Sequence, residues 1–223
     1  MAAFLAGAIA HGLAAAVFAV VRCASPNGRA NSIATSALIV ALLTAALNGT
    51  QALGGFASLH ESYTATWAVY TLCLFFIGKS LTVATGDGDW FTSGFVLALV
   101  GAGGVFVLEL DDTVSIGAYA VAVVGIVLLY VLFFWLVGEQ ATREKSGWLI
   151  AAFGAATLLY IIPFVVNYPV QRTDTLLADS GLYFVGNLLT KIILPIVELW
   201  CVWGTPTVSV VRQGEARAGL IFV

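Results

Sequence analysis

Charged side chains are scarce in this chain. Of its 223 residues, nine are Lys or Arg and twelve are Asp or Glu, which makes 9% charged against 61% hydrophobic. Soluble globular domains carry about 25% charged residues. The composition therefore excludes a water-soluble domain and indicates a protein that lies within a lipid bilayer.

Cysteine is also scarce. Cys23, Cys73 and Cys201 make an odd number, and each lies in or next to an apolar run. This pattern predicts neither a disulfide framework nor a metal site. The first apolar run lacks the basic start of a signal peptide, since Arg22 follows the run, so we interpret it as a membrane helix.

Long apolar runs dominate the rest of the chain. A membrane-spanning helix needs about 20 apolar residues. Seven runs meet this length, at residues 2–22, 32–54, 64–84, 92–110, 115–138, 146–166 and 178–204. The sequence predicts an all-α membrane protein, a single domain of residues 1–223 built as a seven-transmembrane-helix bundle in the cell membrane.

The basic residues are distributed unequally between the two sides of such a bundle. One side has only Arg172, and the other has Arg22, Arg29, Arg143, Lys145, Arg212 and Arg217. Cytoplasmic loops are enriched in Lys and Arg, so the N-terminus is expected to be external and the C-terminus cytoplasmic.

Lys191 lies at the centre of the last apolar run, GLYFVGNLLTKIILPIVELW, residues 181–200. A lysine about 17 Å from the helix end is too deep to reach the headgroups. A buried neutral amine is suited to forming an imine with an aldehyde. The residues alone leave two interpretations open, a Schiff-base lysine or an ammonium group paired with a carboxylate of a neighbouring helix.

Several stretches resemble the microbial rhodopsin family. LALVGAGG at 97–104 resembles its fourth helix, LYVLFFWL at 129–136 its fifth, and WAVY at 67–70 the start of its third-helix motif. Pro163 falls where the family has a kinking proline in helix 6. The resemblance covers most of the chain from helix 3 to helix 7, and it implies that all-trans retinal is bound to Lys191 as a Schiff base.

The chain departs from this family in its counterion region. The third-helix aspartate of the family's pumps falls on Leu72, or on Cys73 after a one-residue shift, and the second carboxylate falls on Asn187. An outward proton pump needs an acceptor near the imine, so the departure argues against that function. The missing counterion leaves three possibilities open. The Schiff base is deprotonated in the dark, an anion such as chloride is bound beside it, or a carboxylate from elsewhere takes the counterion's place, with Glu61 and Glu109 as candidates.

The resemblance also implies a retinal pocket. Its expected residues are Trp67, Tyr70, Phe106, Tyr160, Pro163, Phe164, Tyr183 and Thr190. The two helix-6 tryptophans of the family are replaced by Leu159 and Val166. His11, in the first span, is interpreted as a helix-packing residue, with a proton relay as the alternative.

A second charged group is expected nearer the cytoplasm. Lys79 lies in the cytoplasmic third of predicted helix 3, and Glu198 lies two turns beyond Lys191 on the same helix face. Charges inside a membrane usually pair. Two interpretations stay open: a Lys79–Glu198 ion pair that forms a cytoplasmic gate, or a Lys79 side chain that reaches the headgroups while Glu198 is hydrated independently.

Three functions remain. The first is a retinal-binding, light-responsive membrane protein, either a photoreceptor for sensory signalling or a light-controlled ion transporter, and not an enzyme. The second is a light-driven or light-gated chloride transporter, with the anion near Asn187, Thr190 and Cys73. The third is an opsin-like protein without photochemistry in a structural or helper role. Membrane lipid and copies of the same chain are the expected partners, and nucleic acid is not.

Overall fold

The described part of the chain is helical. The computed structural model describes residues 2–57, 59–85 and 181–203, and no strand occurs in these ranges. Helix α1 comprises Ala2–Ala24, α2 Gly28–Ala52 and α3 Leu59–Thr85. Residues 181–203 form a continuous helical segment, called the Lys191 segment, which consists of α4 (Gly181–Leu188), a π-helical turn (Leu189–Ile193) and α5 (Leu194–Trp203).

Three of these helical stretches are long and apolar enough to cross a membrane, namely Ala3–Ala24, Gly28–Ala52 and Phe184–Trp203. A shorter apolar stretch, Ala68–Ala84, lies in α3. The predicted runs at 2–22, 32–54, 64–84 and 178–204 thus coincide with helices, as expected for a helical membrane protein. The runs predicted at 92–110, 115–138 and 146–166 lie outside the described residues.

Helices α1 and α2 pack closely because their shared face is made of small side chains. Ala14 and Ala15 of α1 are buried, as is a row of alanines in α2. A Cβ atom on Gly7 would lie 2.7 Å from Nδ2 of Asn48, so only glycine permits this approach without a shift. The opposite face of α1 exposes large aliphatic side chains, Leu5, Ile9, Leu13, Val17 and Val20, which suits contact with lipid.

Polar groups join the helices at one end of the bundle. The Asn27 side chain caps α2 by accepting from a backbone N–H at 2.8 Å, and its Nδ2 donates to the Val202 carbonyl at 3.2 Å. Arg29 donates to the Val83 and Ala84 carbonyls, both at 3.0 Å. The start of α2 therefore meets the ends of α3 and α5, and α3 runs parallel to the Lys191 segment.

A short connection links α2 to α3 at the opposite end. Gly54 has a φ of +66°, a left-handed conformation that glycine adopts readily, and it follows the last turn of α2. The Gln51 amide then donates to the hydroxyls of Ser62 at 3.1 Å and Thr66 at 2.9 Å. These bonds fix the start of α3 against the end of α2.

The buried face of α3 sets the position of the site. Tyr70, Cys73, Ile77, Leu81 and Ala84 are buried at intervals of three or four residues, which is one stripe of a helix. Both α2 and α3 pack against the Lys191 segment. The π-helical turn therefore lies beside the inner faces of α2 and α3.

Candidate functional site

Lys191 lies on the π-helical turn and is only 2% exposed. The Leu194 N–H donates to the Leu189 carbonyl, five residues earlier. Pro195, the next residue, has no N–H to donate to the preceding turn. Its position thus explains why the regular helix is interrupted beside Lys191, and such turns are frequent at functional sites.

The described side chains around the Lys191 amine are neutral. Nζ lies 5.9 Å from the centroid of the Tyr70 ring, within the range of a cation–π interaction. Cys73 is fully buried and in electrostatic range of Lys191. Asn187 and Thr190, one turn before Lys191 and adjacent to it, are also buried, and the Thr190 hydroxyl donates to the Gly186 carbonyl at 2.7 Å. The amine therefore lies among an aromatic ring and uncharged polar groups.

Cys73 also links the site to α2. The Thr44 Oγ1 lies 3.8 Å from the Cys73 Sγ, and the same Oγ1 donates its proton to the Val40 carbonyl at 2.8 Å. A hydroxyl has one proton, so the Cys73 thiol is the donor to Thr44. This contact orients the Cys73 side chain between α2 and the Lys191 segment.

His11 belongs to the same cluster, although it lies far from the other residues in sequence. It is fully buried, and its Nδ1 lies 2.8 Å from the Gly7 carbonyl. Its Nε2 has no hydrogen-bond partner in the described part of the chain. Lys191 and the Asn187 backbone carbonyl both lie in electrostatic range of the imidazole. The structure thus adds a titratable group from α1 to the site.

No carboxylate accompanies Lys191 within the described ranges. Glu61 is exposed at the start of α3, where its Oε2 accepts from the Ala57 N–H at 2.9 Å. It caps that end of the bundle and does not replace the missing counterion. The other candidate, Glu109, lies outside the described residues.

The two alternatives for the third-helix counterion position differ in burial. Leu72 is 51% exposed, whereas Cys73 and Tyr70 are buried on the face that meets Lys191. Successive helix residues are separated by about 100°, so the two positions point in different directions. Cys73 and not Leu72 therefore lies on the buried face of α3, and the assignment of a counterion region stays a prediction.

Glu198 forms a second buried polar position. It is 0% exposed, and neither carboxylate oxygen has a hydrogen-bond partner among the described residues. Ser80 lies close to it, but the Ser80 hydroxyl donates to the Ile77 carbonyl at 3.0 Å. Lys79 is half-buried and does not donate to Glu198 in this part of the structure. The Lys79–Glu198 pair therefore stays a prediction, as does the gate.

The remaining expected pocket residues are not placed. Phe106, Tyr160, Pro163 and Phe164 lie outside the described residues. Trp67 and Tyr183 lie within α3 and α4, but their side chains are outside the described part. Of the expected pocket, the structure brings Tyr70 and Thr190 to Lys191.

The three cysteines are free thiols. Cys23 is exposed, Cys73 is buried and Cys201 is half-buried. No group of three or more His, Cys, Asp or Glu side chains suited to a metal ion occurs in the described stretches.

Sequence reasoning did not connect His11 with the Lys191 segment, and it missed Thr44 and the π-helical turn. The signal for the turn is Pro195, four residues after the buried lysine. The signal for His11 is weaker, a histidine inside a run of Gly and Ala that permits close helix approach. Thr44 has no sequence signal, because threonine is common in helices of this kind.

No protein-family model matches the chain, and comparison with curated proteins also gives no match. Membership of the microbial rhodopsin family therefore stays a prediction.

The first test concerns the Lys191 amine itself. The Lys191 amine is buried without a carboxylate partner among the described residues, and a poorly compensated buried polar group costs about 1–3 kcal/mol. Lys191→Met is therefore expected to raise the free energy of unfolding of the retinal-free protein by a similar amount. Thermal or denaturant unfolding in one lipid or detergent would measure it, with Lys79→Met as the matched control. A loss of about 3–5 kcal/mol in Lys191→Met would instead reveal a buried carboxylate partner.

Proposed function

We propose that this chain is a retinal-binding, light-responsive membrane protein, similar to microbial rhodopsins, in which Lys191 carries the chromophore. The observation that supports this most is a fully buried lysine without a carboxylate partner among the described residues. A structural lysine at this depth needs a negative partner. A lysine that reacts with an aldehyde needs a neutral amine in an apolar site.

The residues around Lys191 fit the attachment end of retinal. The π-helical turn presents the amine to the interior, and the Tyr70 ring lies beside it at 5.9 Å. When bound, retinal would supply a light-absorbing polyene, and Lys191 would hold it as an imine formed with loss of water. Cys73, Thr190 and Asn187 exclude bulk water from that nitrogen, and the face of Tyr70 stabilises positive charge on it.

The proposed architecture is the seven-helix bundle with an external N-terminus. The parallel direction of α3 and the Lys191 segment agrees with an odd number of spans between them. Arg22 and Arg29 lie at the shared end of α1, α2, α3 and α5, which the distribution of basic residues makes cytoplasmic.

The orientation predicts one-sided labelling of Cys23. This exposed thiol lies at the same end as Arg22 and Arg29, so a membrane-impermeant maleimide should label it in inverted vesicles and not in intact cells. A Cys23→Ser variant gives the background signal, because it keeps Cys73 and Cys201. Labelling from the outside of intact cells contradicts the orientation.

A chloride transporter is the second candidate function. It is favoured by the absence of a carboxylate near Lys191 in the described residues, together with neutral polar groups at Thr44, Cys73, Asn187 and Thr190. An anion held there would balance a positive charge on the Lys191 nitrogen. An opsin-like helper without photochemistry is the third, and it requires no chromophore.

The proposal predicts a Lys191-dependent absorption band after all-trans retinal is added to the purified protein. Lys191→Ala should abolish the band, whereas Lys79→Ala, the matched control, should keep it. A band that shifts with chloride at constant ionic strength favours the transporter. If no band depends on Lys191 at any pH or chloride concentration, the chain is not a retinal protein of this kind.

The counterion position can be tested with two neighbouring substitutions. Cys73→Asp adds a negative charge beside the Lys191 nitrogen and should raise the proportion of the visible-absorbing, protonated form at neutral pH at least about tenfold. Leu72→Asp adds the same charge on an exposed face and should leave the spectrum unchanged. The measurement is the absorbance of the retinal-loaded protein. If Leu72→Asp raises the protonated form and Cys73→Asp does not, Leu72 faces the site.

A further inference from the structure

Glu198 is a fully buried acid in the Lys191 segment. It is 0% exposed, and neither carboxylate oxygen has a hydrogen-bond partner among the described residues. An ionised carboxylate in an apolar medium needs hydrogen-bond donors or an opposite charge, and without them it takes up a proton. The state of Glu198 therefore depends on the donors and cations that lie around it.

Two hydrogen bonds close the end of the bundle nearest to Glu198. Asn27 donates to the Val202 carbonyl at 3.2 Å, and Arg29 donates to the Ala84 carbonyl at 3.0 Å. These two bonds, called the end junction, bring the ends of α5 and α3 to one level beside the start of α2. Glu198 lies four residues before Val202, so about 6 Å of helix separates it from the end junction.

Ser80 lies at the same depth as Glu198. It precedes Ala84 by four residues, as Glu198 precedes Val202, and both side chains are buried in parallel helices that pack together. The Ser80 hydroxyl donates its one proton to the Ile77 carbonyl at 3.0 Å, so it can accept from Glu198 but not donate to it. A protonated carboxyl has an O–H to offer, whereas a carboxylate needs a donor. This neighbour therefore suits the neutral form of the acid.

The cations of the elements packed against α5 do not bond to Glu198. On α3, Lys79 is half-buried and does not donate to it, and on α2 the one charged residue, Arg29, donates to carbonyls of α3. The π-helical turn contributes Lys191, two turns deeper, and α5 itself contributes the Cys201 thiol. The three predicted runs outside the described residues contain no Lys, Arg or His. In the described part of the chain, therefore, nothing compensates a negative charge on Glu198.

We propose that Glu198 is a proton-binding site that the end junction separates from the membrane surface. The carboxyl holds a proton while the Asn27 and Arg29 bonds are formed. When these bonds part and water enters, the carboxyl O–H bond breaks, its electron pair stays on the oxygen, and the proton passes to water. Return of a proton from water restores the neutral acid. This exchange requires no chromophore, so it does not rest on the proposed function.

Infrared spectroscopy of the retinal-free protein at neutral pH tests the site, because a protonated carboxyl has a C=O stretching band that a carboxylate lacks. Glu198→Gln keeps the size of the side chain without an acid group, and it should lose one such band. Glu61→Gln, the matched control at the exposed start of α3, should keep this band. If Glu198→Gln loses no band, Glu198 is ionised and the inference is overturned.

Isotope labelling tests the same point without a substitution, so it does not depend on the folding of a variant. ¹³C in the carboxyl groups of glutamate lowers the frequency of the glutamate bands alone. The protonated-carboxyl band of the labelled wild type should therefore shift. If no such band shifts, no glutamate in the protein is protonated, and the proton-binding site is excluded.

Transfer into D₂O tests the end junction, because the same band shifts when the carboxyl exchanges its proton for deuterium. Asn27→Asp keeps an oxygen that caps α2 but cannot donate to Val202. It should speed the exchange about threefold to tenfold, the scale of one hydrogen bond, and Arg29→Gln should do the same. Thr35→Ala, the matched control, removes a hydroxyl that bonds within α2 and should leave the rate unchanged. Exchange at the wild-type rate in both junction variants contradicts the end junction as the barrier.

Discussion

The burial of an amine that has no negative partner among the described residues is the constraint on which the rest of this structure depends. A charge in an apolar medium is stabilised by an opposite charge, by hydrogen bonds or by losing its proton. Around Lys191 the described residues supply no opposite charge and few hydrogen bonds. They contribute an aromatic face, a thiol and hydroxyls already bonded to backbone carbonyls. Loss of the proton remains, and it is the route that makes a lysine chemically reactive.

The depth of the amine is set far from the site itself. Asn27 holds the end of α5 to the start of α2, and Arg29 holds the end of α3 to the same point. These bonds fix how far the three helices can slide along one another. Because a helix rises about 1.5 Å per residue, the positions of Lys191, Cys73 and Thr44 relative to each other follow from this junction.

The sequence was sufficient for the helices that the structure describes and for the burial of Lys191, because apolar length and the cost of a charge in lipid are local properties. It was not sufficient to tell which of Leu72 and Cys73 is buried, since the two are adjacent in the sequence and only the packing of α3 distinguishes them. His11 could not be placed near the Lys191 segment, because His11 and Lys191 lie 180 positions apart in the sequence. The predicted Lys79–Glu198 pair depends on side-chain direction, which a spacing of seven residues does not determine.

The π-helical turn makes the Lys191 segment sensitive to the insertion or deletion of a residue. A hydrogen bond that reaches back five residues accommodates one residue more than an α-helical turn, so the turn acts as an insertion that the helix has absorbed. Removing a single residue from Leu189–Ile193 would restore a regular helix, but it would rotate α5 by about 100° relative to α4. Asn187 and Glu198 would then no longer face the interior together. This part of the chain therefore tolerates a change of side chain more readily than a change in the number of residues.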